Sequence, residues 1–275
     1  ERIATLKEEM ARLKGLKRQM EASPHGQVSL TDPDARSMAS QGKGTGIVGY
    51  NVQTAVETKH HLIVTHEVTN VGSDRAQLVK MAEAAREALG TEKLTAIADR
   101  GYYSSEQIKG CEDVGIAPVV PKPITSNSAA DGRYEKWDFT YLPKRDSYRC
   151  PAGEYAIRRF TSQEHGLTYY KYWSSACPRC ALRSKCTTGD YRRLTRWEHE
   201  SVLERMQARL ERDPTLMITR RRTVEHTFGT IKAWMGATHF LCRRLPRVSA
   251  EMSLHVLAYN MKRVMKIMGT GALIE

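Results

Sequence analysis

Thr95-Ala-Ile-Ala-Asp-Arg-Gly-Tyr-Tyr-Ser104 is the stretch on which the reading of this chain turns. An apolar run ends in Asp99, a glycine and two tyrosines follow, and a helical pattern then opens. The pattern predicts a buried strand that delivers one carboxylate to the tip of a sheet. Open α/β sheets bind their ligands outside the carboxyl ends of their strands. Asp99 is therefore the first candidate functional residue.

Working upstream, Gly72-Ser-Asp-Arg-Ala76 predicts a helix start, with Ser73 or Asp74 capping the free amides. Leu78, Met81, Ala82, Ala85 and Leu89 form the apolar face of that helix, and Gly90 ends it. Ile47 to Val56 and His61 to Val68 are rich in β-branched residues and predict an antiparallel hairpin turned at 57–60. Asn51, Gln53, His61 and His66 lie on it within reach of a site, yet a lone polar strand residue is more often structural and none is assigned a role. Gln41-Gly-Lys-Gly-Thr-Gly46 lacks the spacing of a phosphate loop and is read as a loop near a ligand. Asp32 and Asp34 flank a proline and are read as turn residues. Residues 1–22 carry Ile3, Leu6, Met10, Leu13, Leu16 and Met20 at helical spacing, which favours a helix packed on its own domain over a coiled coil.

Downstream, a second helix follows Gly101 and closes at Gly115, and Ile116 to Pro121 is a short strand made edge-like by its prolines. Residues 122–215 then lose this rhythm. They begin rich in Pro, Ser and Asn, become aromatic and basic, and read as an inserted subdomain of short strands. Arg220-Arg-Arg-Thr-Val-Glu-His-Thr-Phe-Gly-Thr-Ile-Lys232 returns to helix, with Val224, Phe228, Ile231 and Met235 as its core stripe. Counted at 100° per residue, Arg221, Glu225 and Lys232 fall within about 40° of one another. One face would carry a basic, an acidic and a basic group. Two carboxylates on rigid elements, Asp99 and Glu225, can share a hard divalent cation. Glu225 pairing with Arg221 at i,i+4 on a solvated surface is the plainer alternative.

Charge is unevenly spread. The net charge is +12; residues 1–124 carry 16 Lys+Arg against 16 Asp+Glu, and residues 125–275 carry 27 against 15. A basic second half points to a polyanionic partner such as DNA. Of six cysteines, Cys150, Cys177, Cys180 and Cys186 cluster, with C-x2-C-x5-C at the last three. They fit either a closed structural zinc site or a set of reduced core thiols. No run approaches the roughly 18 to 20 apolar residues of a membrane span. The sequence starts in mid-helix without an initiator Met, so a fragment is expected.

Three segments carry a family resemblance: 49–56 with 68–74, then Ala98-Asp-Arg-Gly-Tyr-Tyr-Ser104, then Val224-Glu-His-Thr-Phe-Gly-Thr-Ile-Lys232. Together they resemble the DDE transposases of bacterial insertion sequences, in the branch with a Cys-bearing insertion. The resemblance implies an α/β, ribonuclease-H-like mixed sheet flanked by helices. It implies an N-terminal helix and linker at 1–27, the first part of the catalytic domain at 28–124, the insertion at 125–215 and completing helices at 216–275.

The resemblance also implies catalysis by Asp99 and Glu225 on Mg2+ or Mn2+, and phosphate contacts from Arg221 and Lys232. A zinc held by Cys150, Cys177, Cys180 and Cys186 would be structural. The expected reaction is cleavage of transposon ends and strand transfer into target DNA by a homo-oligomer at the bacterial nucleoid, in the cytoplasm. The family signature places a tyrosine where Ile218 stands. Its first acid lies on a strand ahead of the 47–69 hairpin, so that strand and its Asp are expected to be missing here; Asp32 or Asp34 completing the site instead is the less favoured alternative, because both lie in turn-like sequence rather than at a strand end. A nuclease without strand transfer and a zinc-containing DNA-binding protein without catalysis are the competing readings.

Overall fold

A computed structural model describes residues 2–23, 26–38, 46–123 and 131–271. Residues 41–45 of the glycine-rich loop lie outside the described residues, as do 124–130 of the Ser- and Asn-rich stretch. The chain divides into two compact units, residues 1–121 with 206–275 and residues 122–205.

The first unit begins with helix α1 (Arg2–Ala22), none of whose residues is buried. Its apolar stripe, Ile3, Leu6, Met10 and Leu13, faces solvent. The expected packing on its own domain does not occur. The stripe is narrow and charged residues flank it on both sides. Strand β1 (Arg36–Met38) pairs with β2 (Ile47–Gly49). The predicted hairpin forms from β3 (Asn51–Val56) and β4 (Ile63–Thr69), antiparallel with a bulge between Ala55 and Val56. Glu57 closes its turn by accepting from the amides of Lys59, His60 and Leu62 at 2.8, 2.5 and 3.2 Å.

Helix α2 (Leu78–Leu89) buries Leu78, Met81, Ala82 and Ala85, and Gly90 ends it in the left-handed conformation at φ 59°. Strand β5 (Leu94–Ile97) leads through helix α3 (Ser105–Asp113) to β6 (Ile116–Val119). β5 and β6 are parallel, with Leu94 opposite Ile116 and Ile97 opposite Val119.

These strands do not join into the single mixed sheet that the sequence suggests. Among the described residues β3 pairs only with β4, and β5 only with β6. A cavity of about 670 Å3 lies between them, walled by residues 51–57 of the hairpin and 94–99 of the β5 segment. Side chains of α2 enter from one side and Val224 and Phe228 from the other. The Thr54 hydroxyl on β3 is buried with no partner.

The unit is completed by helix α4 (Glu200–Arg212), from which Met206 and Arg209 belong here, and by a composite helix. That helix runs as α5 (Thr215–Arg220), a π-helical turn (Arg221–Glu225), α6 (His226–Gly229) and a second π-turn (Thr230–Trp234). The hydroxyls of Thr223, Thr227 and Thr230 bond back to the carbonyls of Thr219, Thr223 and His226 at 2.8 to 2.9 Å, competing with the main-chain ladder as mid-helix threonines do. Helix α7 (Leu245–Met268) packs Val248, Met252, Val256 and Tyr259 against Ile63, Val68 and Ile231.

The second unit is a continuous five-stranded antiparallel sheet in the order β11-β10-β9-β8-β7. Its strands are β7 (Thr140–Leu142), β8 (Ser147–Arg149), β9 (Tyr155–Glu164), β10 (Leu167–Trp173) and β11 (Leu194–Trp197). Phe139, Tyr148, Ala156, Tyr172, Cys186 and Leu194 form its core.

Candidate active site

Asp99 lies two residues past the end of β5 and caps the short turn Arg100–Tyr102, its Oδ1 accepting from the Gly101 amide at 2.8 Å. Its Oδ2 accepts from Arg220 Nη2 at 2.8 Å. The same guanidinium reaches Glu225 Oε1 through Nη1 at 3.4 Å. One arginine thus gathers the strand carboxylate and the helix carboxylate, which lie 126 positions apart in the sequence. Both acids line the cavity between β3 and β5, together with Arg220 and Lys232.

The arginine that bridges the two acids is Arg220. An α-helical count puts Arg221 four residues before Glu225 and on its face. The π-turn at Arg221–Glu225 has a wider period, so Arg220, five residues away, takes the site position. Arg221 is exposed and does not line the cavity. Lys232 does line it, with its ammonium 5.8 Å from the Phe228 ring centroid. Ile218, at the family's tyrosine position, is 52% exposed and is not part of the lining.

Residues that received no assigned role also converge here. Asn51 and Gln53 alternate on β3 and therefore project to one side. Their amides donate to Asp74 Oδ1, each at 2.7 Å. Gln53 is fully buried, and its Oε1 accepts from the Tyr102 hydroxyl. Burial pushes the Tyr102 phenol up from its usual range, and the charges of Asp74 and Asp99 push it further. The alternation of two amides on a strand was the available signal. Asp74 was hidden because an aspartate just ahead of a helix reads first as a cap.

Asp32 and Asp34 take no part in the site. Asp32 accepts from the Tyr50 hydroxyl at 2.7 Å and from the Arg244 amide at 3.2 Å, and Asp34 accepts from the Leu245 amide at 2.9 Å. The pair clamps the start of α7, where backbone amides are free and negative charge is favoured. Burial raises Asp32, but the bonds from Tyr50, Arg244 and Asp34 outweigh it and hold the carboxyl below its usual value.

The four clustered cysteines are free thiols. Cys177 and Cys180 bracket one tight turn, Cys180 donating its amide to the Cys177 carbonyl at 3.2 Å. Cys186 is buried in the core of the second unit and Cys150 packs against it. Burial raises the Cys186 thiol, and the nearby Cys180 and Cys150 raise it further. Among the described residues no group of three or more His, Cys, Asp or Glu is arranged to hold a metal. The zinc expectation therefore gains no support, and packing accounts for Cys186 and Cys150.

Residues 19–261 match the family model of the transposase DDE domain. The chain belongs to that family. No curated protein and no solved structure matches it. Membership makes this transposase-family chain one of a class of enzymes that act on DNA and use a divalent metal such as Mg2+. No described helix is long and apolar enough to cross a membrane.

The donor chemistry fits such an ion. Asp99 and Glu225 offer hard oxygens, which Mg2+ prefers. A Cβ added at Gly101 would stand 3.0 Å from Asp99 Oδ1 and 3.3 Å from Asp74 Oδ2. A side chain at residue 101 would therefore crowd both carboxylates. Arg220 stands between Asp99 and Glu225 and holds their charge in the present arrangement.

Proposed function

We propose that this chain is the catalytic part of a bacterial insertion-sequence transposase on a ribonuclease-H-like plan, acting at the nucleoid. The observation that carries the reading is the meeting of Asp99, from a strand end, and Glu225, from a helix, at one guanidinium. Asp99 and Glu225 would hold Mg2+ or Mn2+. When bound, such an ion supplies Lewis-acid charge for in-line phosphoryl displacement. Cleavage at a transposon end and transfer of the freed strand into target DNA are both displacements of that kind.

The protein's own groups position and neutralise. Lys232, at the cavity wall, and Arg220, once released from the acids, are placed to meet phosphate oxygens, for which Arg offers a bidentate fork. The Gly101 amide fixes one Asp99 oxygen, so that carboxylate is held in orientation before any ligand arrives.

The second unit supports the DNA reading independently. Between residues 122 and 205 the sequence has 16 Lys+Arg against 10 Asp+Glu. The guanidinium groups of Arg159 and Arg193 lie 5.7 and 5.8 Å from the Trp173 ring centroid, and half-exposed Phe160 packs edge-on to the same ring. Cations interleaved with aromatic rings suit phosphate contact and base stacking. Binding is expected to weaken steeply with salt. The solvent-facing stripe of α1 supports pairing of two copies, as a homo-oligomer requires.

Nicking of supercoiled plasmid in Mg2+ or Mn2+ tests the reading. The chain should nick, and Asp99→Asn or Glu225→Gln should each remove the activity. A joined donor–target product then separates transposase from simple nuclease. A second reading, a DNA-binding remnant without catalysis, is favoured by Arg220 already neutralising both acids. DNA binding unchanged by Glu225→Gln, with no cleavage in either metal, would decide for it.

A further inference from the structure

We propose that Leu241 is a wedge that enters the minor groove of duplex DNA and parts two stacked base pairs. The inference rests on the reading that the chain acts on DNA, and it adds how that DNA is deformed. Leu241 lies in the loop at residues 235–244, between the second π-turn and α7. At 83% exposure it is the most open large apolar side chain among the described residues. The loop beneath it is firmly held. Met235, Ala237, Phe240 and Leu245 pack against the α7 core, and Phe240 meets Tyr50 edge-on at 6.4 Å. Glu251 of α7 accepts from the Leu241 amide at 2.9 Å and from the Cys242 amide at 2.8 Å. Asp32 and Asp34 accept from the Arg244 and Leu245 amides.

Three carboxylates are thus spent on the loop's backbone, while Leu241, Arg243 and Arg244 are exposed. Arg244 stands at φ 69°, a region that is costly for any residue but glycine. Such strain persists only where the surroundings over-determine it, and the carboxylate clamp does so here. Charge points the same way. No Asp or Glu occurs between Glu225 and Glu251, whereas Lys232, Arg243, Arg244 and Arg247 do. The loop therefore offers one rigid apolar tip with cations beside it. Proteins that kink DNA from the minor groove combine an apolar wedge between base steps with arginines that enter the groove. That groove is about 6 Å wide, too narrow for a helix and open to a loop tip. A protein partner is the competing occupant, yet a lone projecting leucine among cations offers little of the roughly 1,200 Å2 or more that stable protein interfaces bury.

Short A·T-rich duplexes with a dye at each end and 2-aminopurine at TA steps, which deform readily, report unstacking and bending together. Metal-free buffer keeps cleavage out of the readout. The full chain should raise the 2-aminopurine fluorescence and shorten the end-to-end distance through a kink of about 20 to 90°. Leu241→Ala should unfold at an unchanged temperature and still bind the duplex, yet lose both signals. Leu241→Phe should keep them, as should Leu254→Ala at an exposed leucine of α7. Guanine in place of adenine puts an amino group in the minor groove and should suppress the kink; inosine, which lacks that group, should restore it. Signals retained in Leu241→Ala, or guanine and inosine duplexes kinked alike, would overturn the wedge and leave DNA binding standing. Self-association lost in Leu241→Ala with DNA shape unchanged would give the residue to a protein interface instead. Failure of the unaltered chain to bind any duplex would overturn the DNA reading as well.

Discussion

The two units use short strands in opposite ways. In the second, five antiparallel strands run edge to edge and the aromatic core closes over them. In the first, two strand pairs face each other across a cavity, each with an edge that no described strand covers. In a continuous sheet the inner strands are paired on both edges, whereas isolated strand pairs leave an edge of every strand for something else to satisfy. The site residues cluster at the open region, where Asp99, Asp74, Arg220 and Glu225 meet. The proposed function is thus drawn from the less consolidated part of the molecule, as is common for ligand-binding regions.

The contrast makes its strongest prediction about core truncation. Tyr172 in the second unit is fully buried, packs edge-on to Tyr148 and Tyr141, and donates to Asp146 at 2.5 Å. Tyr172→Ala should destabilise by about 3 to 5 kcal/mol, the range for buried aromatic truncation. Phe228 faces the existing cavity and is only partly buried. Phe228→Ala removes less packed surface and should cost no more than about 1 kcal/mol. Chemical denaturation of the two variants measures both. Equal losses would mean that the cavity wall is as consolidated as the continuous sheet.

Legibility followed the same divide. Strand β5 and its terminal Asp99 were plain because an apolar run, a carboxylate and a glycine are local signals. So were the hairpin and the apolar face of α2. What was lost depended on register or on distant partners. Arg220 went unnoticed because a 3.6-residue period put Arg221 on the Glu225 face, and nothing in the residue order announces a π-turn. Asp74 and Gln53 belong to the site through contacts more than 20 positions away in sequence. Asp32 and Asp34 looked available for a metal because their partners, Arg244 and Leu245, lie more than 200 positions off. The cysteine spacing leaned toward metal over core, and the packing around Cys186 and Cys150 is what favours core for those two.

A smaller effect is expected at the Asp32 clamp, which holds the open unit together at the start of α7. Its folded carboxyl is held below the usual value, so its contribution is fully present above the unfolded value of about 3.9. That contribution is lost as pH falls through the lower folded value. Asp32→Asn should cost about 2 kcal/mol near pH 6, as expected when charge-assisted bonds are weakened. The unfolding temperatures of wild type and variant should begin to converge below about pH 4 and meet only at lower pH. A difference that persists into acid would mean that the clamp works by shape alone.

The smallest effect separates two arginines. Arg196 in the second unit is 7% exposed, stacks on Tyr141 at 3.7 Å and forks onto Glu204 at 2.5 and 3.1 Å, a structural cation. Arg220 in the first unit bridges Asp99 and half-exposed Glu225 at the cavity, where solvent screens much of the attraction. Arg220→Ala should therefore change stability by less than about 1 kcal/mol. It should raise Mn2+ affinity by up to about tenfold, equivalent to about 1.4 kcal/mol, because two carboxylates lose the cation that competes for them. Arg196→Ala should leave metal affinity unchanged and destabilise the fold. Titration of both variants with Mn2+ gives the comparison directly. Weaker binding in Arg220→Ala would mean that the guanidinium orients the acids for the metal and does not stand in its place.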